Sequence, residues 1–193
     1  LYTDSTRKIT KISDFDVQKS RVGIRESLSK IYASNLACEM VIKTKAAGEA
    51  KSVFYLLNGF LDGLNIIKNE DCHSALVRFL WRYLALLGIQ PSTECCVNCQ
   101  TNLKNITESC AYIPSFDGFL CKECAKEMQN AFQISSEALS YLRAMSLSLS
   151  PRSVRAMSLS HLSLSQLKAL TFFLSESATG TKLKSLESSV GIL

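Results

Sequence analysis

Residues 95–124 read CCVNCQTNLKNITESCAYIPSFDGFLCKEC, and they hold six of the eight cysteines in a chain of 193 residues. Within them, Cys96-Val97-Asn98-Cys99 and Cys121-Lys122-Glu123-Cys124 are two C-x-x-C pairs separated by 21 residues. Two such turns can place four thiolates around one tetrahedral ion, as in four-cysteine zinc sites. The segment between them starts strand-like over Cys110 to Ile113. It turns at Pro114-Ser115-Phe116-Asp117-Gly118 and returns through Phe119 and Leu120 to the second pair. A hairpin this small is expected to have almost no core of its own. A bound metal would supply the stability, since structural zinc sites in finger peptides have apparent binding energies of roughly 10–16 kcal/mol near neutral pH.

The two-residue gap of Cys96 and Cys99 lets backbone amides approach both sulfurs, whereas Cys95 with Cys99 would need a wider loop. Cys95 is therefore the expected spare, and Cys110, mid-strand, a packing residue or an incidental thiol. Cys38 and Cys72 sit in helical patterns, where free cysteine behaves as a small apolar residue. Alternatives to a metal are a disulfide, a redox C-x-x-C pair, or thiols that merely cluster; the paired spacing favours a metal, either zinc or iron. A catalytic zinc usually keeps an open position. No H-x-E precedes a P-C-x-x-C, His73 and His161 lie outside the cysteine region, and there is no Walker loop, G-x-S-x-G or H-E-x-x-H. No catalytic set is visible.

Outward from the cysteines the chain reads as mainly helical. Val17, Ile24, Leu28, Ile31, Leu36 and Val41 predict a helix from Ser13 to just before Ala46, and Val53, Phe54, Leu57, Phe60, Leu61 and Leu64 a second over about 50–66. Asn69-Glu70-Asp71 supplies a turn and an acidic N-cap for a third, SALVRFLWRYLALL, closed by Gly88 and Pro91. Ser135 can cap a helix with Glu137 in its first turn. The Ser/Leu-rich stretch 146–167 reads as a connection with short helices, and Leu167, Leu170, Phe173 and Leu174 mark a last long helix. Residues 1–12 look extended and too few to form a sheet alone.

Composition is that of a soluble globular protein, with 47% hydrophobic and 20% charged residues. Uncharged runs such as SVFYLLNGFL (52–61) fall short of the ~18–20 residues a membrane span needs. No signal peptide is expected, because the first ten residues carry Asp4, Arg7 and Lys8 with no apolar run. The net charge of +5 permits a polyanionic partner without requiring one. Its densest local excess lies in residues 151–184. There Arg152, Arg155, Lys168, Lys182 and Lys184 face one acid, Glu176, an excess of +4. Arg21 and Arg25 with Arg78 and Arg82 form a second set. For the first, the alternative is a solvated basic face; for the second, side chains that flank the helical core by snorkelling.

In order, the helical bundle, RFLWRYLALLGIQPSTECCVNC (78–99), YIPSFDGFLCKEC (112–124) and GTKLKSLESSVGIL (180–193) resemble the RecO family of recombination mediator proteins. The resemblance covers nearly the whole chain. It implies an N-terminal OB-fold, a helical domain and an inserted zinc-binding module. On that pattern 1–12 is the last strand of a mostly absent OB-fold, 13–92 and 129–193 are the two parts of the helical domain, and 93–128 is the module, with Cys96, Cys99, Cys121 and Cys124 holding zinc. It also implies a non-enzymatic protein of the cytoplasm, associated with the nucleoid. Its expected roles are to bind single- and double-stranded DNA, anneal strands, act with RecR, and help RecA replace single-stranded-DNA-binding protein (SSB), whose acidic-hydrophobic C-terminal tail it binds. The rival expectation is a zinc-stabilised adaptor that contacts proteins only.

Overall fold

The computed structural model describes residues 2–4, 9–11, 14, 16–105, 108–146 and 151–193. Strands β1 (Tyr2–Asp4) and β2 (Ile9–Lys11) pair antiparallel, with Tyr2 opposite Lys11. The N-terminal stretch expected as a single strand thus contains two, and each gives the other its ladder partner.

The first helix is shorter than its apolar spacing suggests. α1 spans Leu28–Lys43, not a segment from Ser13, and Val17 is 71% exposed. What overrides helix here is binding to the next element, α2 (Ala50–Ile66). Lys19 Nζ and Arg21 Nε donate to the two Asp62 oxygens at 2.9 and 2.8 Å, and the Gly23 amide donates to Asn65 Oδ1 at 2.9 Å. Gly23 lies so close to α2 that a Cβ there would sit 2.2 Å from the Asn65 carbonyl oxygen.

α3 (Cys72–Leu86) is the central helix, with buried residues on most of its circumference, as expected of a helix enclosed on all sides. Its start differs from expectation. A 3-10 turn over Asn69–Asp71 runs straight into it, and the Asp71 side chain makes no capping bond. Its end is as expected: Gly88, at φ 74°, lets Ile89 donate back to the Leu84 carbonyl at 3.1 Å.

Strands β3 (Cys110–Ile113) and β4 (Gly118–Leu120) pair as the expected hairpin, with Tyr112 opposite Phe119. After the short helix α4 (Lys122–Ala125), a strand that the sequence pattern did not reveal, β5 (Phe132–Ile134), joins the other edge of β3. α5 (Ser136–Ser146) carries the expected cap, Ser135 Oγ accepting from the Ala138 amide at 3.1 Å. The short α6 (Pro151–Arg155) follows. α7 (His161–Thr179) begins six residues before Leu167, capped by Ser160, which accepts from the Ser163 amide. Half of the expected connection is therefore helix. α8 (Lys184–Glu187) closes the described chain.

Two apolar clusters share α3. Leu76, Phe79, Leu80 and Tyr83 face α1 and α2, while Val77, Trp81 and Leu84 face the sheet, α5 and α7. The second cluster also contains Leu103, Tyr112, Phe119, Leu120 and Ile134, with Phe173 of α7 packed on the rings of Tyr112 and Phe132. The expectation of an almost coreless insert is corrected by this arrangement: the hairpin's apolar residues complete a core begun by the helices. No helix among the described residues is long and apolar enough to cross a membrane.

Candidate metal centre and basic groove

Each C-x-x-C pair lies in a tight turn held by main-chain bonds. In the first, Cys96 donates to the Thr101 carbonyl at 2.9 Å and Gln100, at φ 60°, donates to that of Cys96 at 3.0 Å. In the second, Ala125 donates to the Cys121 carbonyl at 3.0 Å. The turns are brought together by β4. Val97 donates to the Phe119 carbonyl at 3.0 Å, and the absence of a side chain at Gly118 admits Val97, whose Cγ1 lies 2.3 Å from where a Cβ would be.

The result is that the Sγ atoms of Cys96, Cys99, Cys121 and Cys124 all lie within 4.8 Å of one another. Cys99 Sγ and Cys121 Sγ are 3.7 Å apart. Four sulfurs around a tetrahedral zinc, with Zn–S near 2.3 Å, would be separated by about 3.8 Å. All eight cysteines are free thiols, and Cys95 lies outside the cluster. Asn98 Nδ2 donates to Cys124 Sγ at 3.4 Å, the kind of outer contact that orients a ligand sulfur.

The thiols do not titrate alike. The Thr101 hydroxyl and amide, then Cys96, hold Cys99 down at about 6. At Cys124 the Asn98 amide favours the thiolate, but the hydrogen bonds with Cys121 and Cys99 outweigh it and leave the group at about 12. Each negative sulfur makes the next harder to form, a conflict that a divalent cation in the middle would remove. Four sulfurs would fill a tetrahedral ion and leave no position for a reactive water. Cys72 and Cys110 are different: burial pushes their thiols up to about 11 and about 12, as befits packing residues.

Arg143 of α5 fastens this region to the helices. Its Nη2 donates to the Leu103 and Thr93 carbonyls at 2.8 and 3.2 Å, and its Nη1 to that of Lys104 at 3.2 Å. It lies in a Ser/Ala/Leu helix with no motif to single it out.

The candidate basic residues do not form one stripe. Arg155 converges with Arg78 and Arg82 on a groove of about 260 Å³ between α2 and α3, whose floor includes Leu56, Phe60, Leu64 and Phe79. Arg78 donates to the Tyr141 hydroxyl at 2.9 Å and to Ser74 Oγ at 3.2 Å. Burial, then the charges of Arg78 and Arg155, hold Arg82 below its usual pKa. Among the described residues, no carboxylate pairs with any of the three. Arg21 is bound to Asp62 and Asn58, and Arg25 is exposed. Lys168 lines a different hollow, with both histidines. Lys182 and Lys184 are exposed beside α1, where Lys43 Nζ donates to the Lys182 carbonyl and the Lys184 amide to Glu39. The Arg152 side chain lies outside the described residues. The i, i+4 spacing of Arg78 and Arg82 was the one sequence signal for the groove. Its third arginine comes from a helix 73 positions further along the chain.

A family profile described as Recombination protein O C terminal (RecO_C) matches residues 25–187. The chain is similar to the DNA repair protein RecO of Symbiobacterium thermophilum, 26% identical over 143 residues, which cover 73% of this chain and 56% of that one. It is also similar to the RecO proteins of Pelotomaculum thermopropionicum (27% over 140 residues, 72% and 52%) and Moorella thermoacetica (25% over 129 residues, 67% and 47%). It spans about half the length of these curated relatives. No solved structure matches it. With the profile running from the start of the bundle, through both thiol turns, to α8, the chain belongs to the RecO family, whose members serve DNA repair and recombination.

Proposed function

We propose that the chain is the helical and zinc-binding part of a non-enzymatic recombination mediator. In this reading the whole protein binds single- and double-stranded DNA and anneals complementary strands. With RecR it helps load RecA onto SSB-coated DNA in the cytoplasm. Cys96, Cys99, Cys121 and Cys124 hold one structural zinc, and the strands Tyr2–Asp4 and Ile9–Lys11 belong to an OB-fold. The observation that carries the reading is the family match over residues 25–187.

The arginine-rimmed groove supports one partner within this role. An apolar floor with three unneutralised guanidiniums suits a peptide that is both hydrophobic and acidic, the character of the SSB tail. Titration of a fluorescent SSB-tail peptide should give saturable binding that weakens with salt and is lost in Arg82→Glu. A salt-independent affinity, or one unchanged by the substitution, would count against it. DNA binding is tested separately by the slope of log K against log salt for the intact protein, which should be clearly negative.

The second reading, a protein-only adaptor, is favoured by the dispersal of the basic residues among the groove, the α2 ion pair and the α8 end. A slope near zero with tail binding retained would establish it.

A further inference from the structure

The chain has two histidines, and both stand apart from the sulfurs and the arginine groove. They meet in a hollow of about 240 Å³ enclosed by α1, the head of α3 and the first half of α7. Its polar wall consists of Ser29, Asn69, Glu70 and His73 on one side and His161, Ser165 and Lys168 on the other. The last three recur at i, i+4 and i+7 on one face of α7. Leu164 is the one apolar residue of the lining, although carbon atoms still make up most of its surface.

One fixed cation, Lys168, stands here beside two histidines. Among the described residues, no carboxylate pairs with Lys168, His73 or His161. Glu70 reaches the wall, but its side chain is 74% exposed and pairs with Lys68 at 3.5 Å. His73 Nε2 donates to the Ile192 carbonyl at 3.0 Å, which fixes the ring and leaves Nδ1 to take up a proton. Burial, together with Lys168 and His161, holds His73 below the usual histidine pKa, and burial lowers Lys168.

We propose that this hollow binds a phosphoryl group, with Lys168 as its fixed cation, His161 as a ring donor, His73 as a donor once Nδ1 takes up a proton, and Ser29, Asn69 and Ser165 as neutral donors. The non-bridging oxygens of a phosphoryl group, two in a phosphodiester and three or more in a terminal or free phosphate, can accept from donors on α1, the head of α3 and α7. The phosphoryl can belong to free phosphate, to the end of a DNA strand or to an internal phosphodiester. The DNA sources rest on the mediator reading, whereas the binding itself does not.

The test titrates inorganic phosphate into the intact chain near neutral pH at constant ionic strength while the histidine ring resonances are followed. With two histidines in all, every such signal reports on this hollow. Both should move along one saturable curve. Lys168→Gln and His161→Gln should each weaken the apparent affinity by about tenfold or more. Unchanged Trp81 emission and metal content would show that each variant is folded. Equal shifts with acetate or chloride, or an unchanged curve in Lys168→Gln, would overturn the proposal. A second arm compares one oligonucleotide with a 5′-phosphate and with a 5′-hydroxyl. A response to the phosphate alone supports a strand end, equal responses support internal phosphodiesters, and a response to inorganic phosphate only supports the free ion. Silence in every arm overturns the inference but leaves the mediator reading, which strand annealing judges independently.

Discussion

The two faces of α3 rest on cores of different origin. On one side, Leu36, Leu64, Leu76 and Leu80 come from helices consecutive in sequence, and helix periodicity is enough to bring them together. On the other, Trp81 and Leu84 meet Leu103, Phe119, Leu120 and Ile134, residues from loops and three-residue strands with little intrinsic preference for their positions. The sulfur cluster sits at the edge of this second core. The first core is maintained by local structure, and the second by long-range ties, of which a shared metal would be the strongest.

The largest predicted effect follows from removing that tie. Strong chelation, or Cys121→Ser, should abolish the bound metal, expected at one ion per chain, and withdraw stabilisation on the order of 10 kcal/mol from the second core. Hydrogen exchange should show β3 and β4 unprotected, α3 partly protected, and α1 and α2 least affected, with red-shifted emission from the single tryptophan, Trp81. Uniform loss of protection would erase the contrast. So would no loss at all.

Two buried leucines sharpen it. Leu120→Ala and Leu64→Ala should each cost about 2–5 kcal/mol in the metal-loaded protein, since both side chains are fully buried. After chelation, denaturant titration should find the Leu120 cost largely gone and the Leu64 cost retained. Equal costs in both states would mean that the metal does not organise the second core.

A smaller effect is expected at Gly118, where Ala should cost about 1–3 kcal/mol by forcing Val97, and with it the first thiol turn, away from β4. If that contact is the cause, Val97→Ala should restore much of the loss in the double variant, read as a recovery of melting temperature. Full additivity would exclude it.

The smallest effect belongs to the first core. Burial tends to raise the Glu39 pKa, but bonds from Ser185, the Lys184 amide and Lys43 outweigh it and leave the carboxyl below its ordinary 4.5. A depressed folded pKa means stabilisation that is present above 4.5 and lost as pH falls through the lower folded value. Amide protection in α8 should therefore decline with acidification in that window. Glu39→Gln should show little of this dependence, and an unchanged profile would remove Glu39 as its source.

The same contrast explains what could be read in advance. The thiol pairs, α2, α3 and the Ser135 cap depend on short-range spacing, and each is where that spacing puts it. Features decided by distant partners were hidden. Val17 and Ile24 keep helical spacing, yet Asp62 and Asn65 hold the neighbouring residues in another path. β5 is too short for a period, and the serines at the head of α7 look like a connection until Ser160 is seen capping it. The family resemblance came from motif order and holds. The grouping of Arg155 with Arg78 and Arg82 needed three dimensions.

On α3, Val77 and Trp81 of the second core alternate with Arg78 and Arg82 of the groove. The helix thus joins the second core to the groove, and a disturbance that rotated α3 at Trp81 would move the adjacent guanidinium with it. If the groove holds an acidic peptide as proposed, oxidation of the thiols would weaken that grip before it unfolds the bundle.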